Sequence, residues 1–321
     1  MNRSLRFSRT GFYLLQRKTI RAISLFFWAW FLMGGVASIP AGAEPLRVLV
    51  SVLPQKTLIE KVGGKHVQVQ AMVRPGYSPH TYDLTPKQIA AVTEAMLYVR
   101  IGVPFEDAWM ERIRSANPQM QVLDAREGID LYEMDVHDQD DDRTGPLVSS
   151  SLEEVQHEAG ESDPHLWTSP RLVKQVAAGV RDKLSELDPG NAQDFGRNYD
   201  AFATELDVLD RDIRALLEGV SNRKFMVFHP AWGYFAREYG LIQVPIETEG
   251  KEPGPRALVA LIEQAKRAQV KVIFVQPQFS TKSADQVARA IGGRVLAIDP
   301  LAPDYSVNLR RVAREIAAAG G

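Results

Sequence analysis

Leu46-Arg47-Val48-Leu49-Val50-Ser51-Val52-Leu53 is a nearly continuous aliphatic run, followed by a proline-opened helical stretch over 54–62, a Gly63-Gly64 stop and a second strand over 67–73. Strands that read as unbroken apolar runs, separated by helices, indicate a parallel sheet, because parallel neighbours require a crossover and have both faces covered. The alternation continues with a helix over 86–95, a strand over 96–101, a helix over 104–115 and a short strand over 120–123. This βαβ pattern places a ligand crevice outside the carboxyl ends of the strands. His80 falls on that edge.

Beyond residue 163 two helical stretches are expected, over 170–187 and 191–217. In the second, Phe195, Tyr199, Phe202, Leu206, Leu209, Ile213 and Leu216-Leu217 recur at helical spacing. At 1.5 Å per residue it spans roughly 40 Å, enough to bridge two lobes. The alternation then restarts, with strands over 224–228, 243–246, 270–275 and 294–298 and helices over 231–239, 255–268, 283–291 and 306–319. The fold class is therefore α/β, with two lobes of parallel sheet, one long helix able to bridge them and a cleft between them. The organisation expected is a leader over 1–43, an N-terminal lobe over 44–189, the interlobe helix over 190–219 and a C-terminal lobe over 220–321.

The leader has its own chemistry. Arg3, Arg6, Arg9, Arg17, Lys18 and Arg21 precede an apolar run over 22–37 and the small-residue end Ala41-Gly42-Ala43. That order describes a secretory signal peptide cleaved after Ala43 and hence a periplasmic protein, with an uncleaved anchor as the alternative. There is no cysteine for lipid attachment, for disulfides or for a thiolate metal site. Without the six basic residues of the leader, 32 basic residues remain of the 38, against 40 acidic ones, a formal charge near −8. This balance argues against nucleic acid and favours cations.

With cysteine absent, His, Asp and Glu are the strong metal ligands available. Three histidines follow strand or turn signals: His80 in Ser78-Pro79-His80-Thr81-Tyr82, His165 in Asp163-Pro164-His165-Leu166-Trp167, and His229 in Phe228-His229-Pro230-Ala231-Trp232. They are far apart in the chain, so only a fold gathers them, and a gathered trio of imidazoles suits a borderline-soft divalent ion such as zinc. His66 reads as an exposed turn residue and His157 as a surface residue. The acidic run Glu133-Met134-Asp135-Val136-His137-Asp138-Gln139-Asp140-Asp141-Asp142 lies in an aperiodic loop over 127–162; it reads as solvated chain, or as a weak metal-collecting loop through His137, Asp138 and His157.

These motifs, together with His229-Pro230-Ala231-Trp232-Gly233-Tyr234-Phe235-Ala236 and Asp299-Pro300-Leu301-Ala302, occur in order along the chain. The sequence resembles the periplasmic metal-binding receptors of ABC importers for zinc and manganese, the ZnuA/TroA-like family. The resemblance implies two lobes joined by a rigid helix and one metal ion in the cleft, delivered to an ABC permease and its ATPase by a monomeric receptor. It implies His80, His165, His229 and Asp299 as ligands, with water, Glu247, Glu249 or Asp304 as substitutes for Asp299. Manganese-carrying relatives usually have a carboxylate where this chain has His229, which favours zinc over manganese or iron. Many relatives have Glu in the segment Phe274-Val275-Gln276-Pro277-Gln278-Phe279, so Gln276 is a departure that leaves any role of that Glu in doubt.

Ligand imidazoles normally donate their second N–H to a carboxylate or carbonyl, and Asp83, Asp163 and Glu247 are the candidates here. Tyr82, Trp167, Trp232, Tyr234 and Phe235 are expected mostly in lobe cores, with one or two walling the cleft. The three-histidine set also admits a zinc hydrolase, but the sequence has no H-E-x-x-H, no G-x-S-x-G and no Walker A run. No catalytic residue and no enzyme activity are expected. A surface adhesin, as some relatives of the family are described, is a third reading. Because ligand imidazoles must be neutral, zinc binding is expected to weaken as pH falls through about 6.5.

Overall fold

A computed structural model describes residues 44–132, 162–247 and 252–321. The leader, with its signal-peptide assignment, and His137, Asp138, His157 and Glu249 lie outside the described residues. No described helix is long and apolar enough to cross a membrane.

The first half contains strands β1 (Leu46–Val50), β2 (Val67–Ala71), β3 (Leu97–Arg100) and β4 (Gln121–Asp124), with helices α1 (Leu53–Gly63), α2 (Pro86–Glu94) and α3 (Pro104–Ala116) between them. After helices α4 (Pro170–Leu187) and α5 (Ala192–Leu217), the second half carries β5 (Lys224–Val227), β6 (Ile242–Pro245), β7 (Val272–Val275) and β8 (Arg294–Ala297). Its helices are α6 (Gly233–Glu238), α7 (Pro255–Arg267), α8 (Lys282–Ile291) and α9 (Tyr305–Gly320). The two sheets have the same order, β2-β1-β3-β4 and β6-β5-β7-β8, and every pairing is parallel. Each therefore reverses its strand order beside its first strand, the place where open α/β sheets present ligands.

Local chemistry explains the boundaries. Proline stands in the first turn of α1, α2, α3, α4 and α7, where its missing N–H costs no helical bond and its φ is already helical. Gly292 ends α8 in the left-handed conformation (φ 64°), with the N–H of Gly293 returning to the Ala288 carbonyl at 2.8 Å. A residue with a Cβ is strained at that φ, so the glycine reads correctly as a stop.

The two sheets are not buried alike. Along β5 and β7 the side chains alternate: Phe225, Val227, Val272 and Phe274 enter a large core shared with the first sheet, while Met226, Ile273 and Val275 enter a smaller core under α7 and α8. Helix α5 contributes Phe195, Phe202, Leu206, Leu209, Ile213 and Leu217 to the shared core and packs on α1, α4 and α9. At 26 residues it is about 39 Å long at 1.5 Å per residue. Residues 45–321 consequently form one compact unit in which two sheets and one long helix share an interior.

Candidate metal centre

Each of the three histidines is brought to the centre by a different local device. His229 stands two residues beyond β5, and Gln276, one residue beyond the adjacent β7, clamps its backbone. The His229 N–H donates to Gln276 Oε1 (3.1 Å), and Gln276 Nε2 donates to the His229 carbonyl (2.6 Å). A glutamate at 276 could accept the first bond but could not donate the second when ionised. The departure noted in the sequence thus has a structural use.

His165 is set by Asp163, whose Oδ1 accepts both the backbone N–H (2.8 Å) and Nδ1–H (2.7 Å) of His165. The His165 carbonyl then accepts Thr168 N–H and Oγ1–H at 3.0 and 2.9 Å, opening a single 3₁₀ turn that leads into α4, capped by Ser169. His80 follows a turn closed by Tyr77 N–H to the Arg74 carbonyl (3.1 Å), and its own N–H donates to Ser78 Oγ (3.2 Å).

The imidazoles converge. His80 Nε2 lies 3.1 Å from His229 Nε2, and His229 Nε2 lies 3.3 Å from His165 Nε2. The three ligand nitrogens all fall within 4.8 Å of one another. Zinc at ~2.0–2.1 Å from tetrahedrally placed nitrogens would space them about 3.3 Å apart, so the two spacings to His229 already match those of a zinc shell.

The proton positions follow from the neighbours. Asp163 accepts from His165 Nδ1, and Glu247 Oε1 accepts from His229 Nδ1 at 2.5 Å. An ionised carboxylate only accepts, so in both rings Nδ1 carries the proton and the Nε2 lone pair faces the centre. Burial and the neighbouring imidazoles push the His80 pKa down to about 2, and burial lowers that of His229 against the opposing pull of Glu247. Both rings are therefore neutral and ready to ligate at ordinary pH. For these two rings burial displaces protonation below the ordinary imidazole range, because the site disfavours imidazolium without any metal.

Asp163 and Glu247 thus hold the positions expected of orienting carboxylates, whereas Asp83 is exposed. Asp299 does not join the trio. Its Oδ1 accepts Gln278 Nε2 (2.9 Å) and the Leu301 N–H (2.9 Å), and its carbonyl accepts Asn308 Nδ2 (2.7 Å). Asp304 is exposed at the start of α9. His66 is not the exposed turn residue expected: its ring is largely buried, with Nε2 2.8 Å from Asp194 Oδ2 and its edge against Phe195. Asp194 stands in the first turn of α5, so this contact ties the long helix to the first sheet.

Tyr82, Trp167, Trp232, Tyr234 and Phe235 are all buried. Trp167 packs its edge against the His165 ring at 5.2 Å, and its Nε1–H donates to the Pro300 carbonyl (2.8 Å), linking the two halves beside the centre. Phe279, which the sequence did not single out, stacks on His229 at 4.9 Å. Gly233 was likewise not distinguished, yet a Cβ there would come within 2.7 Å of Asp163 Oδ2 and 3.0 Å of the Tyr132 hydroxyl. We expect Gly233→Ala to push Asp163 out of register with His165, lowering the melting temperature and weakening zinc binding together. Thermal melts with and without zinc would check this, and an alanine variant that bound and melted like the natural chain would contradict it.

The family model for "Zinc-uptake complex component A periplasmic", ZnuA, matches residues 48–319. The chain belongs to the ZnuA family. Among relatives of this ZnuA-family chain, the high-affinity zinc uptake system protein ZnuA of Bacillus subtilis is 27% identical over 262 residues, covering 80% of this chain and 79% of that protein. A crystal structure of a ZnuA superposes with a TM-score of 0.78 at 40% identity, covering 87% of this chain and all of the other. A ZnuA variant lacking its residues 138–173, with zinc bound, gives 0.77 at 40% identity, covering 87% of this chain and 99% of that one. ZnuA-type receptors are solute-binding components of uptake systems rather than enzymes, and they act outside the cytoplasm.

Proposed function

We propose that this chain captures zinc in the periplasm and delivers it to an ABC permease and its ATPase in the inner membrane. The observation that carries this reading is the inward-facing trio of Nε2 atoms at 3.1 and 3.3 Å, two of them held by carboxylates on their Nδ1 sides. Zinc is cargo, and no bond is broken. Asp163 and Glu247 are committed to the imidazole nitrogens facing away from the shared centre, so neither serves as the base of a hydrolase. The ligands are His80, His165 and His229; Asp299, the fourth residue the resemblance suggests, is held instead by Gln278 and the Leu301 N–H. The same reading takes 1–43 as a secretion signal, 44–189 and 220–321 as lobes around a bridging helix over 190–219, and the receptor as a monomer.

Metal content and competitive titration of residues 44–321 against zinc, manganese, iron and cobalt test this. One tightly held zinc per chain is the expected result. A preference for manganese, or no stoichiometric metal, would contradict it. Cell fractionation and size-exclusion chromatography check the compartment and the monomer.

The lowered histidine pKa values also set the stability of the metal-free protein. In the unfolded chain these imidazoles titrate near 6.5, whereas in the folded chain His80 titrates at about 2 and His229 is also depressed. Below pH 6.5 the unfolded state therefore binds protons that the folded state refuses, and stability falls with pH. The slope contributed is at most about 1.4 kcal/mol per pH unit for each such histidine. Denaturant titrations of the metal-free protein between pH 7.5 and 5 measure it, and His80→Asn should flatten the curve. A curve unchanged by that substitution would show that the refused proton is not at His80.

A further inference from the structure

The three imidazoles are not held alike. His165 and His229 are 2% and 3% exposed, and each gives its Nδ1–H to a buried carboxylate, Asp163 or Glu247. His80 is part-exposed, and among the described residues no carboxylate bonds its ring. Its backbone N–H donates to Ser78 Oγ, inside its own loop, which does not tie that loop to the rest of the fold. The tie is made two residues further on. Tyr82 is buried, its ring set edge-to-face with Tyr77 (5.8 Å between centres) and Phe105 (6.0 Å). Its hydroxyl oxygen accepts Arg74 Nε–H at 3.1 Å and Gln88 Nε2–H at 3.2 Å. Gln88 is fixed in turn: it stands in the first turn of α2, its Oε1 accepts Thr85 N–H (3.0 Å) and Oγ1–H (2.8 Å), and its Nε2 also donates to the carbonyl of Met72, one residue beyond β2. Arg74 and Tyr82 lie eight residues apart, so the hydroxyl closes the loop that presents His80 and moors it to α2 and to the end of β2.

From this we infer that Tyr82 is a positioning residue for His80, its hydroxyl doing through the loop what Asp163 and Glu247 do directly on the other two rings. This role presupposes the receptor reading above and concerns how its ligand set is assembled. A ligand that must be ordered when the ion arrives binds it less tightly than one already in place, because ordering a loop costs conformational entropy. A phenolic oxygen suits the task, since it both accepts and donates and one atom can serve Arg74 and Gln88 together. Phenylalanine at 82 would keep the packing on Tyr77 and Phe105 and lose the junction. The Arg74 guanidinium lies over the exposed Tyr77 ring at 4.4 Å, so it retains a contact when the hydroxyl is gone, and what is lost is the mooring of the loop.

The test combines variants with two readouts. Zinc affinity is measured by chelator competition in the natural chain, Tyr82→Phe, His80→Ala and the double variant. Tyr82→Phe alone is expected to weaken zinc by about tenfold, the lower end of the range for residues that orient a metal-binding histidine. In the His80→Ala background the same substitution should change affinity by less than about twofold, because effects that act through one residue do not add. The second readout is the imidazole proton–nitrogen NMR spectrum of the zinc-loaded proteins. Tyr82→Phe should shift or broaden the His80 signals and leave those of His165 and His229 in place, whereas a merely structural tyrosine would lower the melting temperature without singling out His80. If Tyr82→Phe does not fold, Arg74→Lys decides, since it lies at the surface, keeps a cation for the Tyr77 ring and lacks the Nε–H donor. It should weaken zinc in the natural chain and not in His80→Ala. A Tyr82→Phe protein that bound zinc like the natural chain would overturn the inference, as would the same loss with and without His80 or an equal disturbance of all three imidazoles. Failure of the natural chain to bind zinc would instead overturn the receptor reading, and this inference with it.

Discussion

Alanine at position 229 should weaken zinc binding by roughly two to three orders of magnitude while the protein remains folded. A four-ligand zinc shell is worth about 10–16 kcal/mol, so one ligand's even share is about 2.5–4 kcal/mol, and each 1.4 kcal/mol is about a factor of ten. His229 is the ring that both others approach, at 3.1 and 3.3 Å, so its removal takes away the nitrogen common to both close pairs. The substitution also strands Glu247, which is 3% exposed and whose Oε2 already has no hydrogen-bond partner. Leaving a buried group unpaired costs about 1–3 kcal/mol, so the metal-free variant should melt a few degrees lower. The shared core, which does not include position 229, keeps the fold. Chelator competition and circular-dichroism melts separate the two effects. An unchanged zinc titration would remove His229 from the ligand set.

Asp163→Ala should weaken zinc binding by about 10–100-fold, the range for a residue that orients a metal-binding histidine. Asp163 acts twice on His165, holding Nδ1 at 2.7 Å and the backbone N–H at 2.8 Å through the same oxygen. Without it the ring is free to rotate and to move its proton to Nε2, where a proton excludes the metal. The main chain stays in place, because Asp163 N–H donates to the Tyr132 carbonyl (2.9 Å) and the Asp163 carbonyl accepts Tyr234 O–H (3.0 Å). Asp163→Asn retains an acceptor oxygen and should recover part of the affinity. If alanine, asparagine and aspartate at this position gave the same titration, the orientation argument would be wrong.

Much of this architecture was legible along the chain because its causes are local. Proline at helix starts, Gly292 at a helix end and apolar runs of strand length are decided by sterics and patterning within a few residues. The long helix was equally readable, from Phe195 to Leu217, because one buried stripe at helical spacing is a one-dimensional signal. Errors occurred where a residue's partner lies far away in sequence. His66 read as an exposed turn residue until Asp194 and Phe195 covered it. Gly233 and Phe279 carry no local mark of their roles, since those roles are a close approach to Asp163 and a stack on His229.

The sequence by itself determined the two-lobed parallel α/β fold, the absence of thiolate ligands and the three histidines that form the centre. Each of these depends on residue type and on spacing along the chain. Only the tertiary structure decided which carboxylate does what. Asp163, Glu247, Asp299 and Asp83 look alike in sequence, but two orient imidazoles, one is held by Gln278 and one faces solvent. A carboxylate's role is set by the donors that surround it, and those donors come from strands and loops that meet only when the chain is folded.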